Sequence, residues 1–527
     1  MAIVKERSFF EPLQRRFKLS TTGRVVERRD ALDTFDLRFH RAGVSLSAYT
    51  QLGRLITELC PAQDGAAVTT TYSIDTQTLP NFARDLPRGV VCNQLHEIAG
   101  ERRLQRLVRL KEEVERFTIV NDLDKTVVRL AFVQASAMSP TQGAPSIPLP
   151  ALLVLSPLRG YQTEFEEVIQ FLETEHALQQ SAHSVIELGL AAIGWEERVY
   201  STRPEVSMCD STPIEAVALE ILRSLFEVLR ANEDGVRHDL DTDYLKDFRA
   251  VLWRAQSLLH AFQDQLKGMG IETLEEELAW LGEVTRPVRN LDIQLLAARK
   301  EMEREKRLWS SIVKTLEQRR ESERQQLSEN LNSERYMRFS LLADRVMEKL
   351  AEANSPSTST LLSIGEFAPG VLERAYGGLI DRGRSLKAQT SAQEVHRLIS
   401  ASKRLRYLIE FFQPLKDSQP SDIALQATSD LHDELGSVND SFVRIELLEE
   451  ILQDQQDRGK GDSPIAKSID HLLGQSPREK KQASARAWQA FLKFDLPQNR
   501  PYFVAVFQPR GPVEMPPRQM QVGVEVQ

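Results

Sequence analysis

The sequence predicts an α+β protein with two domains, a sheet-containing N-terminal domain and an all-α C-terminal domain. Short β-favouring runs separated by turn residues occupy the first part of the chain, among them 117–120 (FTIV) and 126–133 (TVVRLAFV). From Pro213 to about Phe494, apolar residues recur at spacings of three and four, which is the period of amphipathic helices. A length of 527 residues also exceeds what one hydrophobic core ordinarily supports, so more than one domain is expected.

The predicted N-terminal domain covers residues 1–205 and combines strands with two helices. A Pro-, Ser- and Gly-rich segment at 138–150 has the composition of a loop. Helical patterns follow it at 161–178 and 182–194. Because short strands joined by turn residues pair antiparallel, we expect an antiparallel sheet or a β-barrel.

The predicted helical domain covers residues 212–495. Ser211 or Thr212 can cap its first helix, with Pro213 at the first helical position. Three breaks divide the domain into long helices, at residues 268–270, 354–360 and 458–464. Long amphipathic helices with short connections predict an antiparallel bundle or a pair of bundles. The tail at 496–527 contains many prolines, and we expect it to be poorly ordered.

Composition argues against several classes of protein. The net charge of −9 and the pI near 5.7 disfavour a basic surface for nucleic acid. The longest apolar run, 149–158, is interrupted by two prolines and is too short to span a bilayer. The three separated cysteines are typical of reduced thiols in a cytosolic protein. Because metal-ligand spacings, phosphate-binding loops and nucleophile elbows are absent, we expect no cofactor, no metal and no catalytic residue.

One predicted helix, 391–412, is basic although the chain as a whole is acidic. Its basic residues are His396, Arg397, Lys403, Arg404 and Arg406. No acidic residue lies between His396 and Ile409. Surface helices ordinarily alternate charges, because each i,i+4 ion pair contributes about 0.2–0.5 kcal/mol. A solvated basic face is the simpler interpretation, and contact with a polyanion is the alternative that explains a face of one sign.

The helical domain also contains an internal repeat. Each half has a basic amphipathic helix and then a helix that opens near a Leu-Gly pair, at 241–262 and 281–293 in the first half and at 391–412 and 431–443 in the second. The same order in both halves indicates a duplicated helical unit. We expect each half to be roughly a four-helix bundle, with the halves at about 212–310 and 311–495.

These segments resemble the CHAD domain family over residues 212–495. In the second half the resemblance rests on VHRLISASKRLRYLIEFF, LHDELGSVNDSFV and AWQAFLKF. In the first half it rests on the segment 231–259, on LGEVTRPVRNLDIQLL and, between the halves, on SERYMRFSLLADRV. The resemblance implies twin four-helix bundles with a basic surface that binds inorganic polyphosphate.

The resemblance places the polyphosphate-binding residues on the two basic helices. They are Lys246, Arg249 and Arg254 in the first half and His396, Arg397, Lys403, Arg404 and Arg406 in the second. The first helix departs from the family pattern, since Lys246, Trp253 and Gln256 stand where the family carries a histidine and arginines. Ile399 replaces an arginine in the second helix. We therefore expect binding to depend mainly on the second half.

Residues 1–200 resemble a CYTH domain. The segment 13–20 (LQRRFKLS) is similar to the first strand of that family, and 31–47 (ALDTFDLRFHRAGVSLS) is similar to a second conserved segment. The segment 152–173 is similar to its last strand and the helix that follows. This resemblance implies an eight-stranded antiparallel tunnel that cleaves triphosphate-like substrates with divalent metal.

The carboxylates that such metal chemistry needs are missing from the sequence. If Arg16 and Phe17 align with the Lys-Phe of the family, Pro12 and Gln14 occupy the two glutamate positions. Residues 125–163, which include the predicted late strand, contain no Asp or Glu. We therefore expect the CYTH-like domain to have lost hydrolase activity and to serve as a scaffold or interaction module.

The sequence as a whole predicts a non-enzymatic polyphosphate-binding protein. We expect it in the cytoplasm, on polyphosphate granules, without membrane association and without specific nucleic-acid binding. Three alternatives remain open. The chain could be a CYTH-type triphosphatase with a CHAD domain that captures substrate, a helical protein–protein adaptor, or a protein that binds nucleic acid or another anion through the same basic helices.

Overall fold

The computed structural model describes residues 6–51, 54–61, 72–76, 78–87, 89–141, 143–175, 178–181, 183–196, 200–354, 362–386, 390–416 and 418–508. The chain divides into two compact units, residues 1–200 and residues 201–527. The first unit contains the strands and the second is helical, which confirms the predicted α+β class.

The N-terminal unit contains an antiparallel sheet. Its strands are β1 (Lys18–Thr34), β2 (Val44–Gln51), β3 (Arg54–Pro61), β4 (Tyr72–Thr76), β5 (Leu104–Val120), β6 (Thr126–Met138), β7 (Ile147–Pro148) and β8 (Leu152–Pro157). They lie in the order β4-β3-β2-β1-β5-β6-β7, and β8 also pairs with β6. The described strands do not close into a ring, so the predicted barrel or tunnel is not supported.

In the described part of this unit, five α-helices accompany the sheet: α1 (Glu6–Arg16), α2 (Arg38–Arg41), α3 (Val90–Ala99), α4 (Gln162–Glu175) and α5 (Val185–Ala192). The two helical patterns expected after the Pro-rich loop correspond to α4 and α5 and are confirmed. The expected first strand at 13–20 is wrong for residues 13–16, which belong to α1. Helix α1 buries Leu13 and Phe10 in a cluster that also contains Phe117 and Val128 of the sheet, so apolar packing decides its conformation.

The second unit consists of helices α6 (Ile214–Arg237), α7 (Thr242–Phe262), α8 (Ile271–Arg304), α9 (Lys306–Leu331), α10 (Glu334–Ala353), α11 (Ile364–Arg384), α12 (Ala392–Phe412), α13 (Ser418–Asp457), α14 (Pro464–Leu473), α15 (Ser476–Phe494) and α16 (Arg500–Phe507). The breaks expected near Gly268 and Gly459 are confirmed. The middle break falls largely outside the described residues. Pro213 is the N-cap residue of α6, one position before its predicted place.

The two basic helices, α7 and α12, are amphipathic as predicted. Apart from Ala401, which is partly buried, the apolar residues that recur on one face of each helix are at most 1% exposed: Phe248, Val251, Leu252, Ala255, Leu258, Leu259 and Phe262 on α7, and Leu398, Leu405, Leu408, Ile409 and Phe412 on α12. Helix α7 packs on α8, α12 packs on α13, and both α7–α12 and α8–α13 are in contact. The repeated helix pairs therefore meet each other within one unit.

Part of the C-terminal segment is helical, contrary to the expectation of a poorly ordered tail from residue 496. Helix α16 packs against α11 and α13, and its Phe503 and Val506 are each 1% exposed. The Phe503 ring stacks on Tyr376 with centroids 4.7 Å apart. Aromatic burial fixes this segment, a contribution that proline content does not reveal. Residues 509–527 lie outside the described part of the chain.

Two further findings concern membranes and thiols. No helix in the described ranges has the length and apolar character that crossing a bilayer requires. Cys92 is buried and Cys209 is exposed, and both are free thiols. The side chain of Cys60 is outside the described part of the structure.

The close packing of α11 against α15 generates a stability prediction. A Cβ at Gly383 would lie 1.8 Å from Cε2 of the buried Phe491, so one helix must move. We expect Gly383→Ala to lower the free energy of unfolding by about 1–3 kcal/mol in urea denaturation.

Gly377 on the same helix provides the matched control, because a Cβ there meets no atom within 4 Å. Gly377→Ala should be neutral or raise the free energy of unfolding by up to about 1 kcal/mol, since alanine favours the helix. Equal effects of the two substitutions would contradict this packing.

Candidate anion-binding site

The two basic helices place equivalent residues of the repeat in contact. Alignment of residues 241–262 with 391–412 makes Trp253 of α7 the counterpart of Lys403 of α12. The Lys403 Nζ lies 4.7 Å from the centroid of the Trp253 ring, which is a cation–π contact. Trp253 stands where the resemblance to the family would place an arginine, so α7 has one cation fewer. Its ring instead contacts the Lys403 ammonium of α12, in the other half.

Lys403 lies among other cations. Burial and then the charges of Arg249, Arg406 and Arg289 lower its pKa to about 8, and the Asp440 carboxylate acts in the opposite direction. Among the described residues, no carboxylate oxygen lies within 4.0 Å of its Nζ. The nearest charged neighbours of Lys403 thus disfavour its charged form.

Arg249 of α7 is held at the same place by α8. Its Nη1 donates hydrogen bonds to the carbonyl oxygen of Gly282 at 2.7 Å and to Oγ1 of Thr285 at 2.5 Å. Burial and then the charges of Arg286 and Arg289 lower its pKa to about 10. The Leu-Gly pair that marks the repeat in the sequence therefore supplies a carbonyl that orients a cation.

Two histidines also lie near Lys403. Partial burial and then the charges of Arg286 and Lys403 lower the pKa of His396 on α12. Burial and then Lys403 and Arg406 lower the pKa of His432 on α13 to about 3, so its ring is neutral at pH 7. The buried Nδ1 of His432 has no hydrogen-bond partner among the described residues.

We define the cationic cluster as Arg249 of α7, Arg286 and Arg289 of α8, and His396, Lys403 and Arg406 of α12. Few acids face it. Glu283 forms an ion pair with Arg286, Asp440 lies near Arg289 and Lys403, and Glu410 lies 3.8 Å from Arg406. Positive charge therefore exceeds negative charge where four helices from both halves converge.

The sequence reasoning identified four members of this cluster, Arg249, His396, Lys403 and Arg406, and missed the arginines of α8. Arg286 and Arg289 lie in the segment LGEVTRPVRN, which indicated the repeat and the family resemblance but was not assigned to the binding site. Their three-residue spacing places them on neighbouring positions of one helix face, which is the signal that could have revealed them.

Arg254 has a different environment from the one expected of a ligand-binding residue. It is 4% exposed, and its Nη2 lies 2.9 Å from Oε2 of Glu410, which is itself buried. The guanidinium also lies over the Tyr407 ring at 4.5 Å. The charge of Arg254 is thus balanced inside the protein, where it connects α7 to α12.

The remaining three predicted residues lie outside the cationic cluster. Lys246 is exposed and lies 3.7 Å from Asp243 at the start of α7. Arg397 is exposed and projects roughly 100° around α12 from His396. Partial burial and then Arg382 lower the pKa of Arg404, and Glu275 opposes that shift.

The N-terminal unit has a pair of buried carboxylates, and each forms an ion pair with an arginine. Glu27 of β1 faces Glu112 of β5 in the sheet, and each is 3% exposed. Arg116 lies 3.0 Å from Glu27, and Arg29 lies 3.2 Å from Glu112. In the described part of the chain, no group of three His, Cys, Asp or Glu side chains could hold a metal ion.

The expected alignment of the first CYTH-like strand is also wrong. Pro12 and Gln14, which were placed at glutamate positions of a strand, lie on α1 instead. Strand β8 contains only Leu, Val, Ser and Pro, as the sequence indicated for the late strand.

The buried ion pair between Arg254 and Glu410 generates a second prediction. We expect Glu410→Gln to lower the free energy of unfolding by about 3–5 kcal/mol, because it leaves a buried arginine without its counterion. Chemical denaturation followed by circular dichroism measures this change.

The control is Glu434→Gln at an exposed position of α13, which should change stability by less than about 0.5 kcal/mol. The double variant Arg254→Met/Glu410→Leu should recover most of the loss, because it removes both buried charges together. A loss below about 1 kcal/mol in Glu410→Gln would show that the pair is not structurally important.

Comparison with known proteins gives a family match within the helical unit. Residues 220–449 match the model of the CHAD domain family. A crystal structure of the CHAD domain from the plant Ricinus communis is 22% identical, covers 55% of this chain and 96% of its own, and has a TM-score of 0.46. PptA from Streptomyces chartreusis is 15% identical, covers 53% of this chain and 100% of its own, and has a TM-score of 0.42.

Both TM-scores lie below 0.5, so neither likeness carries weight for the fold or the function. No curated protein matches the chain. The family model agrees with the helical repeat that contains α7, α8, α12 and most of α13. Residues 220–449 of this chain form a CHAD domain.

Proposed function

We propose that the CHAD domain binds inorganic polyphosphate through the cationic cluster and that it does so without catalysis. The observation that carries this proposal is the convergence of cations from α7, α8 and α12 around Lys403, where few carboxylates are available to neutralise them. A folded protein gathers like charges at a cost in stability, which a bound polyanion can offset.

The chemistry of the cluster suits a chain of phosphates. Arg249 and Arg289 present planar guanidinium groups that can donate paired hydrogen bonds to phosphate oxygens, and Lys403 acts as a compact point charge. Partial burial lowers the effective dielectric constant, so each contact with a phosphate is stronger than at an open surface. The acidic remainder of the chain would repel polyanions elsewhere and direct them to the cluster.

The proposal includes the cellular setting that the resemblance implies. The protein would act in the cytoplasm, on polyphosphate granules, with polyphosphate as its partner. A protein–protein adaptor is the main competing function, and its interface would lose little affinity at raised salt because apolar burial drives it. Single-stranded RNA is the alternative polyanion. A competition experiment between RNA and polyphosphate would show which of the two ligands the cluster prefers.

For the N-terminal unit we propose a scaffold or interaction role rather than hydrolysis. The pairing of Glu27 with Arg116 and of Glu112 with Arg29 supports this proposal, because both carboxylates already have cationic partners. The aliphatic strand β8 supports it as well, since it offers no oxygen ligand of a carboxylate type.

Polyphosphate binding across a salt series tests the main proposal. We expect the affinity for long-chain polyphosphate to fall steeply from about 50 to 300 mM salt, because binding releases counterions. Arg289→Ala should weaken binding and reduce the slope of log K against log salt by about 1, as expected when one phosphate contact is lost.

Arg338→Ala on α10 is the matched control, because Arg338 is exposed and forms an ion pair with Glu334 away from the cluster. It should leave both affinity and slope unchanged. Arg404 was predicted from the sequence to bind polyphosphate but lies outside the cationic cluster. A large effect of Arg404→Ala would therefore mean that the ligand extends beyond the cluster. Weak, salt-insensitive binding by the wild-type protein would contradict the proposal.

The absence of hydrolysis is a separate prediction. The full-length protein with Mg²⁺ or Mn²⁺ should release no phosphate from inorganic triphosphate above the rate of the metal alone, because no described carboxylate cluster can hold the ion. Phosphate release assayed colorimetrically measures this. Metal-dependent turnover that disappears in Glu112→Gln would establish the triphosphatase alternative instead.

A further inference from the structure

One nitrogen of Arg249 is held by two acceptors of helix α8. Its Nη1 donates to the carbonyl oxygen of Gly282 at 2.7 Å and to Oγ1 of Thr285 at 2.5 Å. A guanidinium has five N–H donors, and two of them belong to Nη1. Both hydrogens of Nη1 therefore have acceptors within the protein, whereas the donors on Nε and Nη2 remain.

The remaining donors of Arg249 are not used by the protein. Among the described residues, Nε and Nη2 have no hydrogen-bond acceptor, and no carboxylate oxygen lies within 4.0 Å of the guanidinium. Arg286, by contrast, forms an ion pair with Glu283. The Arg249 side chain is also partly exposed. Since Nε and Nη2 form one edge of the planar group, this edge can donate two parallel hydrogen bonds to one phosphate.

The hydroxyl of Thr285 is itself fixed in direction. Thr285 is 0% exposed, and its Oγ1 donates to the carbonyl oxygen of Leu281 at 2.6 Å, with that of Gly282 at 3.2 Å. A hydroxyl has one hydrogen and two lone pairs. Because the hydrogen is directed to the backbone of α8, the lone pairs of Oγ1 accept from Arg249.

The duplication does not repeat this arrangement in the second half. The counterpart of Arg249 on α12 is Ile399, which is 7% exposed and carries no donor. When the two Leu-Gly pairs are aligned, Asn439 is the counterpart of Thr285 on α13. The first half therefore contributes an oriented arginine that the second half lacks, although the sequence placed most of the binding in the second half.

We propose that Thr285 is a positioning residue for polyphosphate, because it holds Arg249 with the Nε–Nη2 edge available to two oxygens of one phosphate. This inference rests on the proposed function and adds the residue that orients one of its binding groups. An arginine that is oriented before binding loses less conformational entropy when the phosphate arrives. The Gly282 carbonyl contributes to the same orientation but belongs to the backbone, so Thr285 is the part that a substitution can remove.

Thr285→Val in the full-length protein tests the proposal, because valine keeps the branched shape and removes the acceptor. Its affinity for long-chain polyphosphate at low salt should fall about threefold to tenfold, which is the effect of ordering one long side chain on binding. The slope of log K against log salt should stay unchanged, because the number of cations that contact phosphate is the same. Arg249→Met should instead reduce that slope by about 1.

A double-mutant cycle separates positioning from a general structural effect. In the Arg249→Met background, Thr285→Val should cause little further loss of affinity, because the hydroxyl acts through the guanidinium. Thr285→Ser should bind as the wild type does, since its hydroxyl can accept the same hydrogen bond. A merely structural role of Thr285 predicts additive losses and a lower salt slope.

Thr428→Val on α13 is the matched control. Thr428 is also 0% exposed, and its Oγ1 donates to the carbonyl oxygen of Ala424 at 2.7 Å. It should leave affinity and salt slope unchanged, while urea denaturation measures the stability of both valine variants. If Thr285→Val folds poorly, Thr285→Ala carries the same expectations, because it also lacks the hydroxyl.

The outcomes distinguish this inference from the proposed function. Wild-type affinity in Thr285→Val would overturn the role of Thr285 and leave polyphosphate binding intact. Additive losses in the cycle, or a loss in Thr285→Ser equal to that in Thr285→Val, would also overturn it. Absence of binding by the wild-type protein at low salt would overturn the proposed function and the inference together.

Discussion

The buried ion pair between Arg254 of α7 and Glu410 of α12 is the interaction on which the candidate site depends. It joins the two repeated halves at a place where both side chains are 5% exposed, so neither can rely on water for its charge. Glu410 also lies 3.6 Å from Arg203 and 3.8 Å from Arg406. One carboxylate thus fixes how the basic helices approach each other, and that approach brings Lys403 onto Trp253.

The same approach concentrates positive charge. Arg249, Arg289 and Arg406 lie around Lys403, and burial together with this repulsion between like charges lowers the pKa values of Lys403 and Arg249. Apolar burial of the inner faces of α7 and α12 holds these helices together despite the repulsion. The fold therefore maintains an electrostatic imbalance that a polyanion would relieve, and this links the stability of the bundle to the proposed function.

The N-terminal unit handles buried charge in the opposite way. Glu27 and Glu112 lie on one face of the sheet, and each has an arginine as a neighbour within the unit. Carboxylates that already have arginine partners are poor candidates for metal ligands. The N-terminal unit thus pairs these buried carboxylates with arginines, whereas the helical unit has more positive than negative charge around Lys403.

The α+β order and the amphipathic faces of α7 and α12 could be predicted from the sequence, because they follow from local periodicity and residue type. The CHAD domain was predicted from the resemblance of several segments to that family. Which cations lie together depends on the packing of the helices. The family resemblance grouped Arg254 and Arg404 with Lys403. Arg254 is instead buried against Glu410 where α7 packs on α12, and Arg404 lies near Arg382 and Glu275. Arg286 and Arg289 enter the cluster from α8. Such contacts depend on distances between helices, which a periodic pattern along one helix does not contain.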